Sequence, residues 1–153
     1  MNILILYETY SSSTETVAYL IADAINTSGS RSEVKKLTDV ETRKYNDCDL
    51  VVFSTPSWFE NGKEGQPHTN FLKFMEINNK ASFVGLNCVF VGLGDSTYNK
   101  FCNAIEIVEK FFTDRGANVT LPTLKLDRYF INTNVEKEKL ISWTKKLLSN
   151  FSK

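Results

Sequence analysis

The sequence predicts a three-layer α/β domain built on a doubly wound, five-stranded parallel sheet, and three observations lead there. Short β-rich runs alternate with longer segments of helical period, the pattern of successive βα units. Two of those runs, Leu50-Val51-Val52-Phe53 and Cys88-Val89-Phe90-Val91, are continuously apolar, as strands covered on both faces must be. A length of 153 residues, 42% of them hydrophobic and 11 of them Phe, suits one core, so a single domain is expected over residues 1–153.

In chain order, Asn2 to Tyr7 is the first strand. Val17, Leu20, Ile21, Ala24 and Ile25 then recur at helical spacing, with Ser12-Ser13-Thr14-Glu15 reading as a capping box and Ser28-Gly29-Ser30 as the stop. Glu33 to Leu37 is the second strand, followed by a short helix within Thr38 to Tyr45. Asp49 to Ser54 is the third. Pro67 to Ile77 reads as a short helix whose first turn tolerates the missing proline amide. Asn87 to Leu93 is the fourth strand. The helix from Phe101 to Arg115 puts Phe101, Ile105, Val108 and Phe112 on one face, and Gly116 sits where a left-handed terminator belongs. Val119 to Leu126 is the fifth strand, and Leu140, Trp143, Leu147 and Phe151 mark a last helix entered through Asn132-Thr133-Asn134.

Composition excludes several functions. Eighteen basic residues balance eighteen acidic ones with mixed signs, so no basic stripe is present for nucleic acid. Cys48, Cys88 and Cys102 form no CxxC pair and, with the single His68, supply no zinc set; free thiols in a reducing compartment are expected. Cys48 and Cys88 read as structural and His68 as a solvated surface histidine. The apolar run Ile3 to Leu6 follows no basic residue and precedes Glu8, so neither a signal peptide nor a membrane span is expected, and the location expected is cytoplasmic.

In a doubly wound sheet ligands sit at the carboxyl ends of the strands, which directs attention to three loops. Thr9-Tyr10-Ser11-Ser12-Ser13-Thr14 runs into a helix amino terminus and is rich in hydroxyls, with no Lys or Arg between Tyr7 and Ala18. Outward amides and hydroxyls there suit a phosphate dianion held without any cation, although the loop alone also reads as a serine-rich turn with an ordinary cap. Ser54-Thr55-Pro56-Ser57-Trp58-Phe59 offers a flat indole, or else a tryptophan covering the edge of the core. Gly92-Leu93-Gly94-Asp95-Ser96-Thr97-Tyr98 leaves a strand with glycines that admit close backbone approach and then presents a phenol. Together the loops specify a planar ring carrying a phosphate tail.

With these residues in view the chain resembles a flavodoxin over nearly its whole length. The resemblance is carried by Asp49 to Trp58 and by Gly92 to Tyr98 with Phe101-Cys102, and the uninterrupted fifth strand resembles the short-chain branch. It implies strand order 2-1-3-4-5 and FMN at the switch point. It further implies that Thr9, Ser11, Ser12, Ser13 and Thr14 surround the FMN phosphate and that Trp58 and Tyr98 sandwich the isoalloxazine. Thr55, Pro56 and Ser57 would run beside the ribityl chain and ring. Asp95 and Cys102 would border the pyrimidine edge, chiefly through backbone atoms, with Gly94 and Phe101 also among the cofactor-binding residues. A peptide after the Trp, at Phe59 or at Asn61-Gly62, would respond to flavin N5. Members usually carry Gly where this chain has Ser12 and Phe59, and they are commonly acidic where this chain is neutral.

The function so implied is a low-potential one-electron carrier, a monomer that meets a reductase and a metabolic acceptor transiently and turns over no substrate of its own. Two other readings stay open from sequence: a flavodoxin-like FMN enzyme or ribonucleotide-reductase activator, and a regulatory module that kept the fold without the flavin. A phosphorylation receiver is excluded because Ser54-Thr55 stand where its Asp is required.

Overall fold

A computed structural model describes residues 1–151; the last two residues of the expected 1–153 span lie outside the described residues. The chain runs β1 (Asn2–Tyr7), α1 (Ser13–Thr27), β2 (Arg31–Lys36), β3 (Leu50–Pro56), β4 (Trp58–Glu60), β5 (Lys63–Gln66), α2 (Thr69–Ile77), β6 (Asn87–Gly94), α3 (Asn103–Thr113), β7 (Asn118–Val119), β8 (Leu124–Asp127) and α4 (Thr133–Phe151). Strands β2, β1, β3, β6 and β7 pair in that order, all parallel, and β8 also pairs with β6. Taking β7 and β8 as one interrupted strand gives the expected order 2-1-3-4-5.

Alternation along β1 shows how the sequence builds three layers. Ile3, Ile5 and Tyr7 point to one face, where Val17, Ile21 and Ile25 of α1 and Leu140, Trp143 and Leu147 of α4 complete a core. Leu4 and Leu6 point to the other, beneath Phe71 of α2 and Ile105, Val108 and Phe112 of α3. Every residue of β3 is buried, which is why Leu50 to Phe53 run apolar without alternation. Phe53 and Phe112 stack with centroids 4.2 Å apart, locking α3 onto the sheet centre.

Several expected boundaries are corrected. The fifth strand is broken: between the pairs Cys88↔Val119 and Val91↔Leu124 the edge advances five residues while β6 advances three. Pro122 lies in the break, lacks an amide for the ladder, and gives its carbonyl to Trp143 Nε1 at 2.9 Å. The helix expected from Phe101 begins at Asn103, because Cys102 adopts φ 51°. The helix expected from Pro67 begins at Thr69, with His68 as its N-cap accepting from the Asn70 amide. Thr38 to Tyr45 forms two 3₁₀ turns, Leu37–Asp39 and Thr42–Asp47, instead of one helix. The hairpin β4–β5 was not expected; Asn61 (φ 51°) and Gly62 (φ 74°) make its two-residue turn. No described helix is long and apolar enough to cross a membrane.

Candidate functional site

The loops after β1, β3 and β6 meet at the carboxyl edge of the sheet. In the first, Ser12 sits at the N-cap of α1 in the left-handed region, φ 69° and ψ −5°, and its hydroxyl makes no capping bond. The expected capping box therefore does not form, since a capping side chain needs extended backbone at that position. The Ser12 carbonyl instead accepts from the Thr16 amide at 3.0 Å and the Thr16 hydroxyl at 2.9 Å. Thr9 Oγ1 is buried and has no hydrogen-bond partner among the described residues, while Ser11 is exposed and Thr14 buried. First-turn amides without a side-chain cap, and an orphaned hydroxyl on the same loop, are neutral donors of the kind that bind anions. Below the loop, the buried Glu8 carboxylate accepts from the Asn70 side chain at 3.2 Å and the Thr38 amide at 3.4 Å.

The second loop is a rigid mount for an exposed ring. The Thr55 hydroxyl accepts from the His68 amide at 3.1 Å and donates to the Pro56 carbonyl at 3.0 Å, and the Ser57 hydroxyl accepts from the Ala104 amide at 3.0 Å. Those hydroxyls tie the end of β3 and the residue after it to the starts of α2 and α3, which leaves the backbone of Thr55, Pro56 and Ser57 for the expected contact with a ribityl chain and ring. Trp58 follows and is 46% exposed, with Phe59 more exposed still. In the hairpin, Trp58 pairs with Gln66 and Glu60 with Lys63, which leaves Glu64 and Gly65 opposite the single Phe59. Gly65 at φ 69° makes this a bulge, and a Cβ there would lie 2.9 Å from Asn103 Cβ.

In the third loop, Tyr98 is 63% exposed on the strand end next to that of Trp58. The loop holds itself through Asp95, whose carboxylate accepts from the Thr97 amide at 2.8 Å and the Thr97 hydroxyl at 2.6 Å. Those bonds keep the Asp95 carboxyl below its ordinary pKa, with Arg128 nearby adding to the effect. The Ser96 amide and hydroxyl reach Asp127 at 2.8 and 2.7 Å, and the Arg128 Nε lies 3.4 Å from Asp127 and 4.0 Å from Asp95. Gly94 is dictated by close approach: a Cβ there would meet the Cys102 amide nitrogen at 2.9 Å. The Cys102 thiol points inward, 3.6 Å from the Gly92 carbonyl, and burial pushes it up to about 12. Cys102 thus offers the rim its backbone and no thiolate. Phe101 packs against the core cluster.

Two residues of this region escaped the sequence reading and a third was misplaced by it. Tyr10 reaches across to Glu60, Thr69, His68 and Trp58. Arg128 takes φ 45° and places a cation beside Asp95. His68, expected on the surface, is only 8% exposed; its Nδ1 accepts from the Asn70 amide at 3.0 Å and its ring stacks on Tyr10. Burial lowers its pKa, against the opposing pull of Glu8, the Thr9 carbonyl and Glu60. Nothing in a lone histidine after proline signals this, whereas Asn61-Gly62 is a hairpin-turn dipeptide that could have revealed β4 and β5. A groove of about 630 Å³ lies at the opposite end of β1 and β2, lined by Arg31, Glu33, Lys44 and Asp47 among others, remote from all three loops.

The family model described as Flavodoxin matches residues 5–138. The chain belongs to the flavodoxin family. A flavodoxin from Maridesulfovibrio salexigens is 30% identical over 141 residues, covering 92% of each chain. Among solved structures, oxidised flavodoxin 1 from Bacillus cereus superposes with TM-score 0.82 at 22% identity, covering 97% of this chain and 98% of that one. A Fusobacterium nucleatum flavodoxin bound to flavin mononucleotide superposes with TM-score 0.80 at 16% identity over 97% of each chain. As a short-chain member of the family, this chain departs from the usual pattern at Ser12, and the backbone there keeps the conformation a glycine would adopt freely.

Proposed function

We propose that this flavodoxin-family chain, as one domain over residues 1–153, holds FMN and carries single electrons between a reductase and a metabolic acceptor. The observation that carries the reading is the left-handed Ser12, which leaves the α1 amides without a side-chain cap beside the partnerless Thr9 hydroxyl. The residues present fit the group. Thr9, Ser11, Ser12, Ser13 and Thr14 would take its phosphate, and Trp58 and Tyr98 would cover its ring. Thr55 to Ser57 would line its chain, and Gly94, Asp95 and Cys102 would border the ring through backbone, with Phe101 buttressing from the core side.

Bound FMN supplies one-electron redox chemistry at its ring. The chain decides how hard each electron is to add. Exposed Trp58 and Tyr98 would exclude water from the ring faces on binding, which strengthens every charge nearby. Asp95, ionised by its Thr97 bonds, with Asp127 and the hairpin carboxylates Glu60 and Glu64, disfavours further negative charge at the rim and so lowers the second potential. Arg128 offsets part of that effect. The Phe59–Glu60 peptide, which follows the Trp and lies opposite the Gly65 bulge, is the one we assign to flavin N5. With no net charge, approach to a redox partner depends weakly on long-range steering.

The test is a reductive titration of the purified protein loaded with FMN, followed in the visible range. Tight binding and two resolved one-electron steps are expected. Failure to bind added FMN, or reduction in one two-electron step with turnover of a quinone, would overturn the carrier.

A further inference from the structure

The Tyr10 side chain joins three pieces of chain at the rim. Its hydroxyl donates to Glu60 Oε1 at 2.6 Å and accepts from the Thr69 amide at 3.0 Å, with Thr69 Oγ1 at 2.9 Å. Its ring stacks on His68 with centroids 4.1 Å apart and meets Trp58 edge-on at 5.0 Å. The residue is 40% exposed, so core packing alone does not account for these contacts. What they do is clear from the hairpin. A two-stranded ribbon is marginal by itself and needs anchors. Strand β5 has two from the α3 side: the Asn103 side chain donates to the Gly65 carbonyl at 3.0 Å, and the Lys100 amide to Glu64 at 3.2 Å. Into β4, which bears Trp58, the side-chain hydrogen bond among the described residues is that of Tyr10 to Glu60.

We infer that Tyr10 is a positioning residue: from within the phosphate loop it fixes β4 and the angle of the Trp58 indole on which a flavin ring would stack. The ligand in this inference rests on the FMN reading, while the clasp itself belongs to the free protein. His68 is the backstop, since its ring is held by the Asn70 amide and sandwiches Tyr10 against the hairpin side.

Riboflavin, which lacks the phosphate, reads the ring site alone. Its dissociation constant should rise about tenfold in Tyr10→Phe, which keeps the ring and loses the charge-assisted bond. In a Trp58→Ala background the same change should have less than about a twofold effect, because the residue acts through the indole. Glu60→Ala, which breaks the bond from the other side, should reproduce Tyr10→Phe and decides the matter should that variant fold poorly. Equal weakening in both backgrounds, no weakening, or weakened FMN with unchanged riboflavin would each overturn the inference. In flavin-free protein carrying Trp143→Phe, Tyr10→Phe should make the remaining indole emission more quenchable by acrylamide; unchanged quenching also overturns it. Wild-type protein that binds neither flavin would refute the FMN reading, and the quenching result would still decide the clasp.

Discussion

Replacing Ser12 by glycine tests the reading of the phosphate loop most directly. Ser12 holds φ 69° and ψ −5°, and its hydroxyl makes no capping bond that the change would remove. A residue with a Cβ in that conformation costs about 1–2 kcal/mol relative to one without. Glycine gives back about 0.4–1 kcal/mol through the greater freedom of the unfolded chain. The difference leaves Ser12→Gly more stable by about 0.5–1 kcal/mol, or about 1–4 °C in Tm for a chain of this size. In urea the midpoint should rise by about 0.3–0.5 M with an unchanged slope. Ser12→Ala should be neutral, since both side chains bear the same penalty, and Ser12→Val should fall below wild type because branching crowds the left-handed region further. Denaturation of the flavin-free protein keeps ligand affinity out of the comparison. A destabilised glycine variant, or a valine variant equal to wild type, would refute the argument that strain is stored there.

Trp58→Ala and Tyr98→Ala should each weaken FMN by about tenfold or more and raise the second reduction potential, with little change in Tm because both rings are largely exposed; unchanged affinity and potentials in both would remove the sandwich. Gly65→Ala forces a Cβ to 2.9 Å from Asn103 Cβ at φ 69°, so a loss of about 1–3 kcal/mol in thermal unfolding is expected, and an unchanged Tm would contradict the bulge. Because burial lowers the His68 pKa on folding, the unfolded chain takes up the proton first, so stability falls as pH drops below the ordinary value of 6.5. His68→Asn keeps an N-cap acceptor and should flatten that acid-side loss relative to wild type; identical pH profiles would argue against the buried neutral imidazole.

Much of the scaffold was legible because burial on two faces leaves a plain mark. Leu50 to Phe53 and Cys88 to Val91 could be nothing but central strands, and the three loops follow from where those strands end. What was misread turns on local conformation that residue type alone leaves open. Ser12-Ser13-Thr14-Glu15 satisfies a capping pattern, yet the loop entering it imposes left-handed backbone and voids the cap. Val119 to Leu126 is rich in β formers, and a single proline at 122 outweighs them. Lys63 to Gln66 has no alternation to betray a strand, because pairing within a hairpin at the rim buries little. Tyr10 was passed over and His68 put on the surface for another reason: each is an ordinary residue until residues about 50 positions away meet it in space, as Glu60 meets Tyr10.

The break at Pro122 matters beyond topology. An open parallel sheet ends in a row of donors and acceptors that a foreign chain could extend. Here that border is cut into two short pieces, and the carbonyl at the cut is already taken by the Trp143 indole. The opposite border carries Arg31, Glu33, Lys35 and Lys36, and charge guards it. With one margin interrupted and the other charged, both borders of the sheet resist extension by a strand from another molecule.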